Sequence, residues 1–340
     1  MIDLLVVGGG PVGLVTAIHA AQAGFEVTVI EPRVGTIDKA CGEGLMPRAL
    51  EHLKRIGIDP PGMDYSGIRY ISGNRAAEAR FASGVGRGVR RTALHESLRK
   101  RAIELNIDFV EGRVEEVVQS RSSVEAAGIH SRYLIAADGL HSTVRSQLNL
   151  GIIGKNRMRQ RYGIRQHYEI EPWSDFVEVY WVHNAEVYVT PVDHHTVGIA
   201  LLGNALLNLE EIISHVPTLA RRLTSARPVS KLRGAGPLRQ RVCARSVGRV
   251  LLVGDAAGYV DALTGEGLQV GFAAAEAAVG AVVADDPSGY EAEWQRITRS
   301  YRWLTGGLLW ASSNRIIRPV IVPAAQALPP VFNRLVNTLS

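Results

Sequence analysis

The feature that most constrains this chain is a glycine-rich turn between an apolar strand and a helix near the N-terminus. Residues Ile2 to Val7 form a nearly continuous apolar run, which is typical of a parallel strand buried on both faces. Gly8, Gly10 and Gly13 follow in the spacing G-x-G-x-x-G, and residues from about Pro11 to Ala23 have helical composition. The pattern predicts a strand–turn–helix unit whose helix begins at the glycines.

The glycines and a following carboxylate indicate what this unit binds. The first glycine permits the tight turn, the second lets a diphosphate approach the backbone, and the third allows close packing of helix and strand. A second strand is predicted from Phe25 to Ile30, and Glu31 follows it, 21 residues after Gly10. A carboxylate at this place accepts hydrogen bonds from a pair of ribose hydroxyls. The sequence therefore predicts a Rossmann-like dinucleotide site.

A second constellation of strand, acid and glycines lies far downstream and distinguishes between cofactors. Val247 to Val253 is predicted to be a buried strand, and it leads into Gly254 and Asp255. The segment Thr264 to Gly267 then opens a long alanine-rich helix, whose free N-terminal amides form an anion site. A plain NAD dehydrogenase has no need of this constellation. A flavoprotein needs it, because the ribityl chain and the flavin lie far from the adenine, so FAD is the predicted cofactor.

A third motif agrees with a flavin cofactor and introduces a resemblance. Tyr133 to Ala137 is predicted to be a strand that ends in Asp138-Gly139, followed by Ser142 and Arg145 in the pattern D-G-x-x-S-x-x-R. With GGGPVG and GDAAGYVDALTGEG, this motif resembles the superfamily of FAD-dependent hydroxylases and geranylgeranyl reductases. The resemblance covers about residues 1–285 and implies a glutathione-reductase-type FAD fold.

The resemblance also implies further cofactor contacts and a reductant. Arg91, in GVRRTALHESL, stands where the family places an arginine on FAD, and Val114, in GRVEEV, stands where a strand meets the adenine. FAD is expected to be bound noncovalently and to be reduced by NADPH or NADH. The predicted cofactor contacts are Gly8, Gly10, Pro11, Val12, Gly13, Glu31, Pro32, Arg91, Val114, Asp138, Gly139, Asp255, Gly265, Gly267 and Leu268.

The residues leave the branch of this superfamily open. Cys41 before a predicted helix, Gly258 and Glu266 resemble the reductase branch, in which Cys41 is the candidate catalytic residue near the path of proton delivery. The substrate region lacks the Trp-Phe pair of those reductases, and similar compact flavoproteins hydroxylate lipid-like phenols. The favoured interpretation is an NAD(P)H-dependent monooxygenase acting on a hydrophobic aromatic or polyketide-type substrate. Reduction of isoprenoid or other alkene double bonds is the alternative, and a non-catalytic flavin-binding or cyclase-type role without net redox change also stays open.

The positions of the motifs predict an α/β fold with three parts. The FAD-binding domain is assigned to residues 1–66, 88–150 and 240–285, because its motifs must converge on one cofactor. Residues 67–87 and 151–239 are predicted to form an inserted antiparallel β-sheet that covers the flavin and binds substrate. This sheet includes a hairpin at residues 68–81, four alternating strands within residues 161–202, and an outer helix at residues 208–226. His167, Trp181 and Tyr188 are its candidate substrate contacts.

The C-terminal segment, residues 286–340, is predicted to be helical and is unusually apolar. Pro323, Pro329 and Pro330 exclude one continuous helix. Two interpretations stay open: helices packed on the substrate domain, or a lid or membrane-surface patch for a hydrophobic substrate. The second would give weak association with a membrane surface.

Composition limits the remaining function classes. Hydrophobic residues make up 46% of the chain and charged residues 21%, as in ordinary globular enzymes. The net charge is only +5 and the arginines are scattered, which argues against a nucleic-acid partner. Cys41 and Cys243 provide neither a disulfide framework nor a zinc motif, and no metal is predicted. The chain lacks a signal peptide and an apolar run of about 18 residues, so a cytoplasmic location is expected.

Overall fold

Two large sheets, one mostly parallel and one mostly antiparallel, organise the molecule. The computed structural model describes residues 1–152, 160–204 and 208–340. In chain order, the strands are β1 (Ile2–Val7), β2 (Val27–Glu31), β3 (Gly44–Leu45), β4 (Met63–Tyr65), β5 (Gly67–Ser72), β6 (Arg75–Arg80), β7 (Gly86–Gly88), β8 (Asp108–Glu111), β9 (Val117–Gln119), β10 (Val124–Ala126), β11 (Ile129–Ala136), β12 (Arg161–Glu169), β13 (Phe176–Val182), β14 (Ala185–Asp193), β15 (Thr196–Asn204), β16 (Arg227–Pro228), β17 (Arg233–Ala235), β18 (Ser246–Val247) and β19 (Val250–Leu252).

Helices cover the sheets and form most of the C-terminal segment. They are α1 (Pro11–Gln22), α2 (Pro47–Arg55), α3 (Arg91–Glu104), α4 (Thr143–Gln147), α5 (Leu209–Ser214), α6 (Pro217–Leu223), α7 (Gly267–Val283), α8 (Tyr290–Ser313), α9 (Ile321–Ala327) and α10 (Pro329–Leu339). Among the residues described, no helix combines the length and the hydropathy that crossing a membrane requires.

The first sheet brings the predicted cofactor motifs to one edge. Its strand order is β18-β19-β11-β1-β2-β8, and the pairs from β19 to β8 are parallel. The carboxyl ends of β1, β2, β11 and β19 therefore lie side by side, and each is followed by a motif residue. This is the edge at which open parallel sheets bind ligands. Helix α1 packs between this sheet and the helices α3 and α7.

The second sheet has the order β16-β12-β15-β14-β13-β5-β6, with β17 paired to β12. The predicted hairpin is present as β5 and β6, and the four predicted strands are present as β12 to β15. One pair departs from the predicted antiparallel arrangement, because β13 lies parallel to β5. A third, small sheet in the order β3-β7-β4 contacts β14 of the second sheet and helix α2.

Two predicted elements are divided in the structure. Residues 247–253, expected as one strand, form the antiparallel pair β18 and β19, because Gly248 turns the chain with a φ of +57°. Residues 208–226, expected as one helix, form α5 and α6. Pro217 separates them, since proline disfavours helical backbone at the residue before it.

The C-terminal helices pack against the second sheet. Helices α9 and α10 contact β6, and α8 contacts α7. Val322, Phe332 and Val336 are buried in one apolar cluster with Val179 and Trp181 of the second sheet. The segment thus closes one side of the space between the two large sheets.

Candidate functional site

A cavity of about 1320 Å³ lies between the parallel sheet, the second sheet and the C-terminal helices. Ligand pockets usually occupy about 300–1,000 Å³, so this one has room for more than a single small molecule. One end is lined by the glycine and acid motifs of the parallel sheet, and the other end is lined by apolar side chains. The first of these is the cofactor end.

In the glycine turn after β1, Gly8 and Gly13 pack closely against the backbone, and Gly8 and Gly10 line the cavity. A Cβ atom on Gly13 would lie 1.9 Å from the carbonyl oxygen of Gly8, and one on Gly8 would lie 2.6 Å from that of Ala137. Gly13 does not line the cavity, whereas Gly8 and Gly10 do. A Cβ on Gly10 would meet no heavy atom closer than Arg91 Nη2, at 3.9 Å. The N-terminus of α1 is therefore open to an anion.

Glu31, at the end of β2, is held by hydrogen bonds from the turn. Its Oε2 accepts from the Gly9 amide at 2.8 Å, and its Oε1 accepts from Arg33 Nε at 2.7 Å. Burial alone would raise the pKa of Glu31, but the bonds from Arg33 and Gly9 outweigh burial and lower it. The carboxylate is ionised and lines the cavity with Pro32, where it can accept a ribose hydroxyl.

Arg91 and Val114 close the same end. Arg91 begins α3, and its backbone amide donates to Glu43 Oε1 at 2.8 Å. Among the described residues, its side-chain Nε is buried without a hydrogen-bond partner and the side chain lines the cavity. Val114 is buried, lines the cavity, and is fixed by Thr143, whose hydroxyl donates to the Val114 carbonyl at 3.3 Å.

The motif after β11 is tied to the motif after β19 by one arginine. Asp138 and Gly139 line the cavity, and Asp138 Oδ2 accepts from the amide of Val144 at 3.2 Å. Arg145 is buried and donates to the carbonyls of Leu140 at 2.6 Å and Ala256 at 3.1 Å. The sequence motif D-G-x-x-S-x-x-R thus carries a cross-link between two cofactor loops.

The second helix N-terminus lies beside Asp255. Gly265, Gly267 and Leu268 line the cavity where α7 begins, and Gly265 has a φ of +75°. Burial raises the pKa of Asp255, although the positive charges of Lys39, Arg91 and Arg145 act to lower it. Burial also raises the pKa of Glu266 to about 9, so this residue brings no negative charge to the helix N-terminus at neutral pH.

These groups fit FAD. A cavity-lining arginine has a buried nitrogen without a partner, Asp138 has a buried Oδ1 without a partner among the described residues, and Gly10 leaves space at a helix N-terminus. Gly10, Arg91 and the start of α1 would hold the diphosphate, Glu31 and Val114 the adenosine, and Asp255 with the start of α7 the flavin end.

Cys41 lies in a loop between the cofactor end and the second sheet. It is half-buried, lines the cavity, and its sulfur accepts from the Glu43 amide at 3.4 Å. Glu43 has a φ of +61° and is almost completely buried. Its Oε2 lies 2.6 Å from His167 Nε2, so the loop is fastened to β12 of the second sheet.

Of the three predicted substrate contacts, one lines the cavity and two lie outside its lining. Tyr188 lines the cavity, and its hydroxyl donates to the Leu263 carbonyl at 2.8 Å. His167 lies outside the cavity lining, between Glu43 and Ser230, because its ring serves the loop described above. Trp181 also lies outside it, packed edge-on against Tyr70, which does line the cavity.

Several cavity residues were not among the sequence predictions. Arg165 on β12 is 1% exposed, lines the cavity, and bonds Asp38 and the Lys39 carbonyl. Glu43 and Tyr70 belong to this group as well. No local motif marks these positions. The sequence around them is that of an ordinary strand or loop, so it gave no signal that they line the cavity. The C-terminal helices also contribute, and they line the apolar end through Leu308, Ala325, Leu328, Val331, Phe332, Leu335 and Val336.

Comparison with known proteins identifies the family. A family profile described as an FAD binding domain matches residues 1–80 and 101–279. The chain belongs to this FAD-binding family. It is an FAD-dependent oxidoreductase, and its fold is that of this class of flavoenzyme.

Curated relatives of this FAD-binding chain include both reductases and a monooxygenase. The menaquinone reductase of Mycobacterium tuberculosis is 27% identical over 304 residues, which are 79% of this chain and 73% of the relative. Digeranylgeranylglycerophospholipid reductase 1 of Methanopyrus kandleri is 28% identical, covering 86% of each chain. The para-nitrophenol 4-monooxygenase of a Pseudomonas strain is 26% identical, covering 83% of this chain and 77% of the relative.

A solved structure shows the same fold. The crystal structure of p-nitrophenol 4-monooxygenase PnpA from Pseudomonas putida has a TM-score of 0.73 and 19% identity, covering 98% of both chains. The superfamily resemblance expected from the motifs, which includes hydroxylases and geranylgeranyl reductases, is confirmed by these relatives.

Proposed function

We propose that this protein is an NAD(P)H-dependent monooxygenase that hydroxylates a long, hydrophobic aromatic molecule. The observation that carries the proposal is the two-ended cavity: an apolar end follows directly from the flavin end, and a buried cation lies in its wall. FAD held at the flavin end and reduced by NADPH or NADH would supply the activation of dioxygen that hydroxylation of an electron-rich ring requires. The chain must bind and orient that ring and keep the site dry.

The apolar end suits a hydrophobic substrate. Its walls come from the second sheet and from the C-terminal helices, including Ile68, Val179, Leu202 and Phe332. Burial of apolar substrate surface against such walls contributes roughly 25 cal/mol per Å². The same lining excludes water, which protects the reaction from side chemistry.

Arg165 and Tyr188 supply polarity near the flavin end. The Arg165 guanidinium is buried in the cavity wall, where it bonds Asp38 and the Lys39 carbonyl. Its Nε is buried without a hydrogen-bond partner among the described residues and is therefore available to donate to a substrate oxygen. Burial raises the pKa of Tyr188 well above its usual value, so this hydroxyl stays protonated. Because it donates to Leu263, its oxygen is left as an acceptor for a substrate hydroxyl. The nitrophenol monooxygenase among the relatives supports this assignment.

Alkene reduction is a second candidate because Cys41 lines the cavity and two relatives are named as reductases. In that reaction Cys41 would hold or deliver a proton beside the reacting carbon. In the monooxygenase, the Cys41 sulfur serves mainly as the acceptor of the Glu43 amide and shapes the loop.

Assays with and without dioxygen separate the two reactions. A long-chain alkylphenol and a geranylgeranyl lipid are each offered with NADPH or NADH. We expect oxygen-dependent hydroxylation of the phenol, and we expect Cys41→Ser to stay within about tenfold of wild type. The exposed Cys243, changed to serine, is the matched control. Anaerobic reduction of the alkene that falls about 10²–10⁴-fold in Cys41→Ser would instead establish the reductase.

A further inference from the structure

Five large apolar side chains on the C-terminal helices are exposed, and four of them also line the cavity. We call them the mouth surface. They are Trp303, Trp310, Leu328, Val331 and Leu335, with exposed fractions of 76%, 63%, 55%, 51% and 43%. Trp303 and Trp310 are seven residues apart on α8 and thus share a face, as do Leu328, Val331 and Leu335 at the start and along α10. Clusters of this kind mark interaction sites more often than free surface.

The mouth surface is continuous with the interior of the cavity. Trp303, Leu328, Val331 and Leu335 are exposed and also line the main cavity. Trp303, Val331 and Leu335 line an adjoining groove of about 540 Å³ between α8 and α10 as well. An apolar molecule can therefore pass from the mouth surface to the apolar end of the cavity along apolar side chains.

Along the chain segment that carries the mouth surface, every charged side chain is cationic. After Glu293 the sequence contains no aspartate or glutamate, whereas it contains six arginines. Arg296 and Arg318 pair with carboxylates. Arg299 and Arg334 are exposed and form no ion pair within the described parts of the chain, and helical spacing places them beside Trp303 and Val331. The apolar patch is thus bordered by unneutralised cations.

We propose that the mouth surface docks on an anionic phospholipid bilayer, so that the cavity opens into the lipid phase. Tryptophan is favoured at the boundary between headgroups and acyl chains, and arginines at its border attract anionic headgroups. A second protein or a second copy of this chain seated on the same surface would cover the opening. Entry of substrate from the bilayer rests on the proposed function, because it assumes an apolar substrate; docking itself does not.

Vesicle binding of the FAD-loaded protein tests the docking without any substrate. We expect cosedimentation with vesicles of equal phosphatidylcholine and phosphatidylglycerol, weaker binding to phosphatidylcholine alone, and loss of binding as salt rises from about 0.1 to 0.5 M. Arg299→Gln and Arg334→Gln should each lower partitioning about fivefold on the anionic vesicles. Trp303→Ser with Trp310→Ser should lower it about tenfold or more on both kinds of vesicle.

Two further measurements decide the outcome. Lipids brominated on their acyl chains should quench tryptophan fluorescence in wild type and much less in Trp303→Phe with Trp310→Phe. The control pair Ile103→Ser and Val118→Ser removes two apolar side chains elsewhere that are 52% and 53% exposed, and this variant should bind vesicles like wild type. No binding to anionic vesicles would overturn the proposal. A dimer in vesicle-free buffer that dissociates in the Trp303 and Trp310 variants would also overturn it. In that case a second copy of the chain would cover the mouth surface.

Discussion

Gly10 and Gly13 stand three residues apart but differ in what their missing side chains allow. Gly13 is required by the fold, since a Cβ there would overlap the Gly8 carbonyl at 1.9 Å. Gly10 has an ordinary extended backbone, with φ −70° and ψ 173°, and its Cβ position faces open space next to Arg91. The fold therefore tolerates a side chain at Gly10, whereas a diphosphate bound where the sequence motif predicts it would not.

Replacement of Gly10 by valine should separate folding from cofactor binding. We expect Gly10→Val to be folded, with a Tm of the apoprotein within about 4 °C of wild type, and to contain almost no FAD. Gly13→Val should fail to fold, and Gly280→Val, which has no neighbour within 4 Å, should keep its flavin. Absorbance of the purified proteins and thermal melts give both readouts. Full flavin content in Gly10→Val would contradict the assignment of the diphosphate site.

At the scale of elements, the helices α1, α2 and α7 meet at a histidine pair. His19 Nε2 and His52 Nε2 are 2.9 Å apart, and His52 Nδ1 lies 3.6 Å from a carboxylate oxygen of Glu276. These three side chains are arranged like metal ligands. Arg55, however, donates to both oxygens of Glu276, at 3.3 and 3.2 Å, so a guanidinium already provides the positive charge.

This helix junction should make the protein sensitive to acid. Burial, together with His19 and Arg55, lowers the pKa of His52 to about 4. A folded-state pKa below the unfolded value of about 6.5 means that the unfolded chain binds the proton first. The stabilisation is therefore complete above pH 6.5 and is lost between about pH 6.5 and 4, by about 3 kcal/mol.

Thermal melts of the FAD-loaded protein from pH 7 to pH 4 measure this contribution. His52→Gln should lower Tm at pH 7 and show a smaller further loss toward pH 4 than wild type. The exposed His194, changed to glutamine, is the matched control and should follow the wild-type curve. Parallel curves for wild type and His52→Gln would show that His52 does not carry the acid sensitivity.

At the scale of the whole molecule, a series of buried ion pairs joins the C-terminal helices, the second sheet and the loop that precedes α7. Arg318, between α8 and α9, donates to Glu186 on β14 at 2.7 Å and to the carbonyls of Val182 and Ala185. Glu186 is also bonded to Arg161 on β12, and Arg161 lies 3.2 Å from Asp261 in the loop that precedes α7. The C-terminal wall of the cavity is thus fixed to the second sheet and, through it, to the flavin-end loop.

Loss of Arg318 should release the C-terminal helices and spare the cofactor. Removing one partner of a buried ion pair costs about 3–5 kcal/mol, because it leaves the other partner uncompensated. In Arg318→Met we expect faster proteolysis after residue 286 and loss of turnover, with FAD retained, because the predicted FAD contacts precede residue 269. Glu186→Gln combined with Arg318→Met should recover part of the protease resistance. Simultaneous loss of flavin would show that the helices support the cofactor end too.

The amino-acid sequence by itself determined the cofactor half of the molecule. Each FAD motif is a local unit in which a strand, a turn and a helix or acid follow within a few residues. Gly8, Glu31, Asp138 and Asp255 could therefore be placed from spacing alone. Because they end neighbouring parallel strands, the sheet brings them to one edge.

Tertiary structure alone decided the half of the molecule that the second sheet and the C-terminal helices form. Glu43 meets His167 and Arg165 across more than 120 positions of sequence, and Arg318 meets Glu186 across 132. Such pairs depend on how the second sheet and the C-terminal helices pack. The spacing of residues within a short stretch of sequence does not predict that packing. The sequence therefore predicts His167 as a substrate contact, whereas in the structure its ring contacts Glu43 of the Cys41 loop. The apolar C-terminal sequence was compatible with either buried or exposed helices. Only the packing of these helices shows that some of their apolar side chains line the cavity and others form the mouth surface.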